Sequence, residues 1–238
     1  MGGAKKKEEC GVQAAGEKLI RILALTMVLS SMSATMFNLA IPQMQADFNL
    51  TLSQVSWVSS IYLLVYAVGS AFYGKLADRY RLKNLMTAGV ALFVAGSVVG
   101  MASTSFAGVL SGRILQAAGA AVIPAASMLI PVRFFPLETR GRALGITATG
   151  LALGNVLGPV VASAIVSFAG WRWLFAVPLL LVFTLPLYRR YLGDETGRSG
   201  RSDWLGGGLL AAAVALLLLA VTRGGWELGI GSLVLLGL

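Results

Sequence analysis

Histidine is absent from this 238-residue chain, and cysteine occurs once, at Cys10. No Cys/His metal cluster, disulfide framework or Cys–His catalytic pair can be assembled from such a sequence. Charge is scarce as well. Asp, Glu, Lys and Arg make up 12% of the residues against 57% hydrophobic, and mean hydropathy is +0.79. A soluble domain carries roughly 25% charged residues, so a fully water-exposed surface is excluded. Acid is the scarcest of all, ten residues against nineteen Lys and Arg, for a net charge of +9. In a soluble domain that excess points to nucleic acid. Here the placement of the cations explains it better, and no nucleic-acid partner is expected. The acids are Glu8, Glu9, Glu17, Asp47, Asp78, Glu138, Asp194, Glu195, Asp203 and Glu227, and none falls in the middle of a long apolar run. No nucleophile–base pair or phosphate loop appears, so neither an enzyme nor a cofactor is expected.

What is present is a series of apolar runs. About 20 such residues cross ~30 Å of hydrocarbon as a helix. Spans are predicted over 19–41, 54–73, 84–102, 106–130, 143–168 and 171–192, with a seventh over 204–221. The class is an all-α integral membrane protein, and the lipid bilayer is its solvent. Residues 1–18 read as a disordered cytoplasmic tail, 19–193 as a six-helix bundle and 194–203 as a cytoplasmic linker. Residues 204–238 read as a seventh span and the start of an incomplete eighth. The last apolar run, 228–238, reaches only ~16 Å as a helix, which reads as truncation.

The cations alternate with the loops. Lys5, Lys6, Lys7, Lys18 and Arg21 precede or open span 1, and Lys75, Arg79, Arg81 and Lys83 fill the 2–3 connection. Arg133, Arg140 and Arg142 lie between spans 4 and 5, and Arg189, Arg190, Arg198 and Arg201 lie around the linker. The opposite face holds only Arg172 and Arg223. Positive charge marks the cytoplasmic side, so the amino terminus is expected there.

The 2–3 connection is Gly74-Lys75-Leu76-Ala77-Asp78-Arg79-Tyr80-Arg81-Leu82-Lys83. Set between two apolar runs, it reads as a tight turn. It resembles the G-x-L-a-D-r-x-g-r-[KR] signature that follows span 2 in major facilitator superfamily transporters. That resemblance makes Gly74, Asp78, Arg79, Arg81 and Lys83 a cytoplasmic latch, with Asp78 near a helix amino end and paired with Arg79 or Arg142. A surface ion pair worth under ~1 kcal/mol is the competing reading. Arg133-x4-Glu138-x-Arg140-Gly141-Arg142 resembles the R-g-r/k-A pattern entering span 5.

Span 5 places Gly150, Gly154, Gly158 and Ala162 four residues apart, a stripe where another backbone can approach closely. Pro159 follows, removing an amide donor. Read with Gly145, the run resembles the antiporter signature G-x8-G-x3-G-P-x2-G-G of the drug-exporting branches, with Ala162 and Ser163 for the closing glycines. A small-residue packing seam is the alternative, and is also what such a motif physically is.

Span 4 holds Arg113, with Gln116, Ala120 and Pro124 on the same face. A charge at that depth costs at least ~2.5 kcal/mol on insertion scales and usually faces a cavity or a partner. Arg113-x2-Gln116-x2-Gly119 resembles the R-x-x-q-G signature, whose arginine is implicated in proton coupling. In the other reading Arg113 snorkels to the outer interface. In span 1, Ser33-Ala34-Thr35-Met36-Phe37-Asn38-Leu39-Ala40-Ile41-Pro42 resembles the l-D-x-T-x-x-n-x-A-l-P segment of fourteen-span drug:proton antiporters, with Ser33 in the aspartate's place. Ser33, Thr35 and Asn38 are expected to line a cavity, with Ser31, Thr35, Asn38 and Pro42 on one helical face. Tyr62, Tyr66, Gly69 and Tyr73 share a face of span 2 and are suited to a hydrophobic or cationic ligand, or equally to anchoring and packing. Met27, Met32, Met36 and Met44 suit promiscuous binding or ordinary packing.

Taken together, the resemblance implies the amino-terminal six-helix half of a fourteen-span drug:proton antiporter-like exporter, plus at least one further span. The implied function is a secondary active transporter, or half of one, exporting hydrophobic or cationic small molecules by proton antiport from the plasma or inner membrane. Its partners would be the substrate, protons and a second six-helix half: missing, separately encoded, or a second copy. Without a mid-span acid, the proton-carrying group lies in that half or coupling differs. A truncated, non-transporting subunit that binds a ligand or helix bundle is the alternative.

Overall fold

The computed structural model describes residues 2–192, with side chains from Gly16 onward. The linker and the seventh and eighth spans lie outside the described residues. Nine α-helical segments carry the described chain: α1 (Gly2–Phe48), α2 (Leu52–Val55), α3 (Trp57–Arg79), α4 (Leu82–Ala102), α5 (Phe106–Ala120), α6 (Val122–Phe134), α7 (Leu137–Phe168), α8 (Ala176–Leu179) and α9 (Thr184–Tyr191). They combine into six elements long and apolar enough to cross a membrane, as expected for spans 1 to 6.

Local chemistry sets the boundaries and corrects several of them. The first residues are helix, not a disordered tail, because α1 begins at Gly2. The stretch is rich in Ala, Lys and Glu, all good helix formers. Asn49 ends α1 with φ 52°, a left-handed conformation that asparagine tolerates. Thr51 caps the next span through a reciprocal pair with Gln54, the Thr51 amide donating to Oε1 at 2.9 Å. The charged connection is not all turn. α3 runs to Arg79, leaving only Tyr80 and Arg81 outside helix before α4. Span 4 is interrupted at Ala121. Pro124 has no amide for the Ala120 carbonyl, and its ring crowds that carbonyl. Span 6 alternates 3₁₀ turns (Trp171–Phe175, Leu180–Phe183) with α8 and α9, because Pro178 and Pro186 each delete a helical donor. Gly170 makes the tight return into it at φ 86°, a conformation open to glycine at little cost.

Glycine sets which helices lie closest. α7 packs on α1 along its four-residue stripe, so that a Cβ on Gly150 would stand 2.7 Å from the Ala24 carbonyl oxygen. One on Gly154 would strike the Ser31 hydroxyl and the Val28 carbonyl. α4 and α5 form a second seam: a Cβ on Gly96 would lie 2.7 Å from the Gly112 carbonyl, and one on Gly112 would lie 2.7 Å from Gly100 Cα. The core falls into two clusters. Leu19, Leu23, Met86, Phe93 and Tyr188 belong to one, and Met36, Phe37, Met44, Trp171 and Phe175 to the other. The Tyr188 hydroxyl donates to Thr26 Oγ1 at 2.7 Å, tying span 6 to α1. Large apolar side chains of α7, among them Val156, Val160 and Phe168, remain exposed, as a face toward lipid or another helix bundle requires.

Candidate functional site: a caged arginine among three helices

Arg113 on α5 has no exposed surface. It does not snorkel. Its Nε donates to the Val58 carbonyl at 3.3 Å, and Nη1 donates to the Ser33 carbonyl at 3.2 Å and to Gln116 Oε1 at 3.0 Å. The guanidinium lies 4.1 Å from the Phe37 ring centroid and 4.0 Å from that of Tyr62, which places it against two aromatic faces. Gln116 passes the network on, its Nε2 donating to Ser97 Oγ of α4 at 2.8 Å. Helices α1, α3 and α5 thus close around one cation, and α4 braces them.

Among the described residues no carboxylate lies within ion-pair distance of Arg113. Glu17, Asp47 and Asp78 all pair elsewhere, near span ends. Carbonyl dipoles and ring quadrupoles compensate the charge instead, and a desolvated cation–π contact is worth about 2 kcal/mol. Three buried polar atoms here have no hydrogen-bond partner: Arg113 Nη2, Tyr62 Oη and Ser33 Oγ.

The remaining expected residues distribute as follows. Tyr62 is buried against Arg113, and Tyr66 stacks on it at 6.0 Å with 14° between the rings. The expected polar face of span 1 does not line one cavity. Ser31 donates to the Leu151 carbonyl of α7 at 3.1 Å, and Thr35 stands over Gly158, so both belong to the α1–α7 seam. Ser33 is buried and meets Arg113 through its backbone carbonyl. Asn38 is exposed and accepts from Ser59 Oγ at 2.6 Å. Met27, Met32, Met36 and Met44 are buried and pack. Gly145, unlike the other motif glycines, has nothing within 4 Å of its would-be Cβ.

The latch region pairs differently from the expectation. Asp78 Oδ1 meets Arg133 at 3.6 Å, and Arg133 Nη2 also donates to the Ala77 carbonyl at 3.0 Å. Arg142 instead meets Glu17 at 3.6 Å. The resemblance implied Arg79 or Arg142 as the partner, whereas α6, packed on α3, delivers Arg133 to Asp78. Arg79 and Arg81 are exposed, and Gly74 has open space around it. At the other end, Asp47 accepts from Trp171 Nε1 at 2.8 Å and faces Arg172 at 3.5 Å.

Phe37, Ser97 and the Val58 carbonyl were not foreseen. Phe37 was within reach, since it lies four residues after Ser33 on the same helical face. Ser97 and Val58 were not, because their contacts depend on how α4 and α3 register against α5.

Comparison with known proteins fits this arrangement. The Major Facilitator Superfamily model matches residues 23–198, and the chain belongs to that family. It is 32% identical over 222 residues to the riboflavin transporter RibZ of Clostridioides difficile, covering 90% of this chain and 48% of that protein. It is 30% identical over 218 residues to the methylenomycin A resistance protein of Bacillus subtilis, covering 89% and 47%. Among solved structures, the peptide transporter POT in complex with sulfate aligns with TM-score 0.65 at 17% identity, covering 87% and 46%. The human organic anion transporter MFSD10 aligns with TM-score 0.67 at 14%, covering 85% and 55%. The chain spans about half the length of the curated relatives it matches.

Proposed function

We propose that this chain supplies one six-helix half of a secondary active transporter that exports hydrophobic or cationic small molecules by proton antiport. The observation that carries the reading is Arg113, a fully buried cation gripped by three helices. An ionisable group retained at that depth is costly, and in membrane proteins it marks a transport pathway or relay. Arginine stays protonated, so Arg113 does not carry the proton. Its role is to hold Gln116 and the α1–α3–α5 junction, and to bias by its field a carboxylate in the second half. That half is supplied by the same polypeptide, a separate one or a second copy.

Transport would proceed by alternating access, with substrate bound between the halves near the midplane. The Gly150–Gly154–Gly158 seam keeps α1 and α7 moving together, and Asp78 with Arg133 latches the cytoplasmic end. The protein sits in the cell membrane with its amino terminus in the cytoplasm, as the loop cations favour. A cationic substrate would draw its counter-charge from outside the described spans.

The test is efflux in everted vesicles under an imposed pH gradient, with riboflavin and a lipophilic cationic dye as substrates. Gradient-driven transport of either is expected, and its loss in Arg113→Ala at unchanged membrane abundance. Uptake insensitive to the gradient would overturn antiport. Equal transport by Arg113→Ala would remove the arginine from the mechanism.

A further inference from the structure

We propose that a groove where α1 and α7 part, beside the α6–α7 corner, binds an anionic phospholipid by its phosphate headgroup. The α1–α7 seam closes where Gly150, Gly154 and Gly158 let the backbones approach. About one and two turns before Gly150, the same face of α7 carries Ile146 and Arg142. Side chains of that size hold two helices apart, and a groove of about 240 Å³ opens there. Gly150 meets Ala24, Gly154 meets Val28 and Gly158 meets Thr35, so the two helices run in the same direction. Sequence order therefore gives depth. Glu17, Thr139 and Arg142 stand at the rim, Arg21, Ile20 and Ile146 about one turn further in, and Phe134 and Phe135 form the wall. The apolar runs of spans 1 and 5 begin at Leu19 and Ala143, which puts the rim where hydrocarbon gives way to headgroups.

Charge and shape together select the ligand. Glu17 faces Arg142 at 3.6 Å and Arg21 at 3.9 Å. Both separations exceed a hydrogen bond, so the carboxylate attracts the guanidiniums without occupying their donors. One acid against two arginines leaves one positive charge. Both arginine side chains are open to a ligand, at 74% and 78% exposure. A guanidinium presents five donors in a fork that fits phosphate. Beneath this rim the groove is apolar. A soluble phosphate would leave Ile20, Ile146 and two phenylalanine rings without a partner, and a plain hydrocarbon would leave the arginines without one. An anionic lipid satisfies both. The groove is smaller than the ~300–1,000 Å³ that encloses a whole small molecule, so it holds a headgroup and the start of a chain. The remainder of the lipid lies in the bilayer. Basic side chains at this depth are drawn to the anionic lipids of the cytoplasmic leaflet. That leaflet rests on the orientation proposed above, whereas the binding does not, and it is independent of transport.

The protein is reconstituted into phosphatidylcholine nanodiscs containing rising fractions of phosphatidylglycerol, and melted at constant salt. A ligand bound by the folded state raises Tm saturably, and that rise is expected with phosphatidylglycerol. In the double variant Arg21→Gln/Arg142→Gln the half-saturating fraction should rise at least about tenfold, the scale of one lost charged hydrogen bond. Both replaced side chains are exposed, so the double variant should fold, and its Tm in pure phosphatidylcholine checks this. If it does not fold, Arg142→Gln alone decides. Arg189→Gln removes an exposed cation from the end of span 6, away from the groove, and should respond as wild type does. A Tm that does not saturate would overturn the proposal. So would an equal response in wild type and the arginine variants, or an equal loss in Arg189→Gln, since either reduces the effect to general surface charge. Glycerol 3-phosphate added to phosphatidylcholine nanodiscs should leave Tm unchanged. A rise matching that of the lipid would overturn the lipid and assign the groove to a soluble phosphoester.

Discussion

Arg113 shows why charge and shape must be considered separately. Lysine at 113 would keep the charge but replace a planar fork by a point charge. It cannot reach Val58, Ser33 and Gln116 together while lying flat on two rings. Arg113→Lys is therefore expected to reduce gradient-driven efflux at least about tenfold, the scale of one lost charged hydrogen bond, at unchanged membrane abundance. Phe37 touches both the arginine and Phe175, whose ring centroid is 4.6 Å away. Phe37→Ala should cost about 3–5 kcal/mol, the range for a buried aromatic, measured as a drop in Tm in nanodiscs. Tyr66→Phe is a control at the edge of the same group, and should leave Tm nearly unchanged.

The helices test the glycines individually. Gly154 and Gly145 belong to the same sequence motif, yet only Gly154 faces a neighbour. Gly154→Val is expected to separate α7 from α1 and to prevent accumulation of folded protein in the membrane. Gly145→Ala, with open space at its Cβ, should be tolerated and gain up to about 1 kcal/mol from helix propensity. Expression level and Tm for the pair distinguish the two. Much at this scale was legible in the sequence. Apolar run length located six spans, and the four-residue glycine period marked the face of α7 open to close approach, though not that α1 is the helix packed there. The α4–α5 seam was missed although Gly89, Gly96 and Gly100 share one helical face at i, i+7 and i+11, and their fit against Gly112 and Gly119 shows which helix that face meets. The interruption of span 4 at Ala121 was legible in principle, since Pro124 lies four residues on from the carbonyl it deprives. Arg113 and Gln116 were marked as one pair, and Ser33 and Tyr62 as candidates apart from it. That one cation joins them depends on side-chain reach between helices, which no spacing encodes.

For the whole molecule, the ends of the bundle carry ion pairs of opposite placement. Asp78–Arg133 and Glu17–Arg142 close one end, and Asp47–Arg172 closes the other. Asp78 is 67% exposed, so the pair holds little stability, and Asp78→Asn should change folding by less than about 1 kcal/mol. If it latches, the variant will instead alter the balance of inward and outward states, read as altered accessibility of engineered cysteines. Topology is checked in the same way. With Cys10 replaced by serine, a cysteine at Thr139 should react with an impermeant maleimide only in everted vesicles, and one at Thr104 only in intact cells. Reaction of both from one side would reverse the assigned orientation.

The two helices that flank Arg113 hold it through their backbones. The Ser33 and Val58 carbonyls accept its protons, and every amino acid offers the same carbonyl. Mutational drift at positions 33 and 58 therefore leaves those two bonds in place, provided the helices stay where they are. These two bonds are robust to side-chain change at positions 33 and 58 and vulnerable to any slippage of the helix axes. Sequences that diverge widely at these two positions can thus retain the same grip on the same cation.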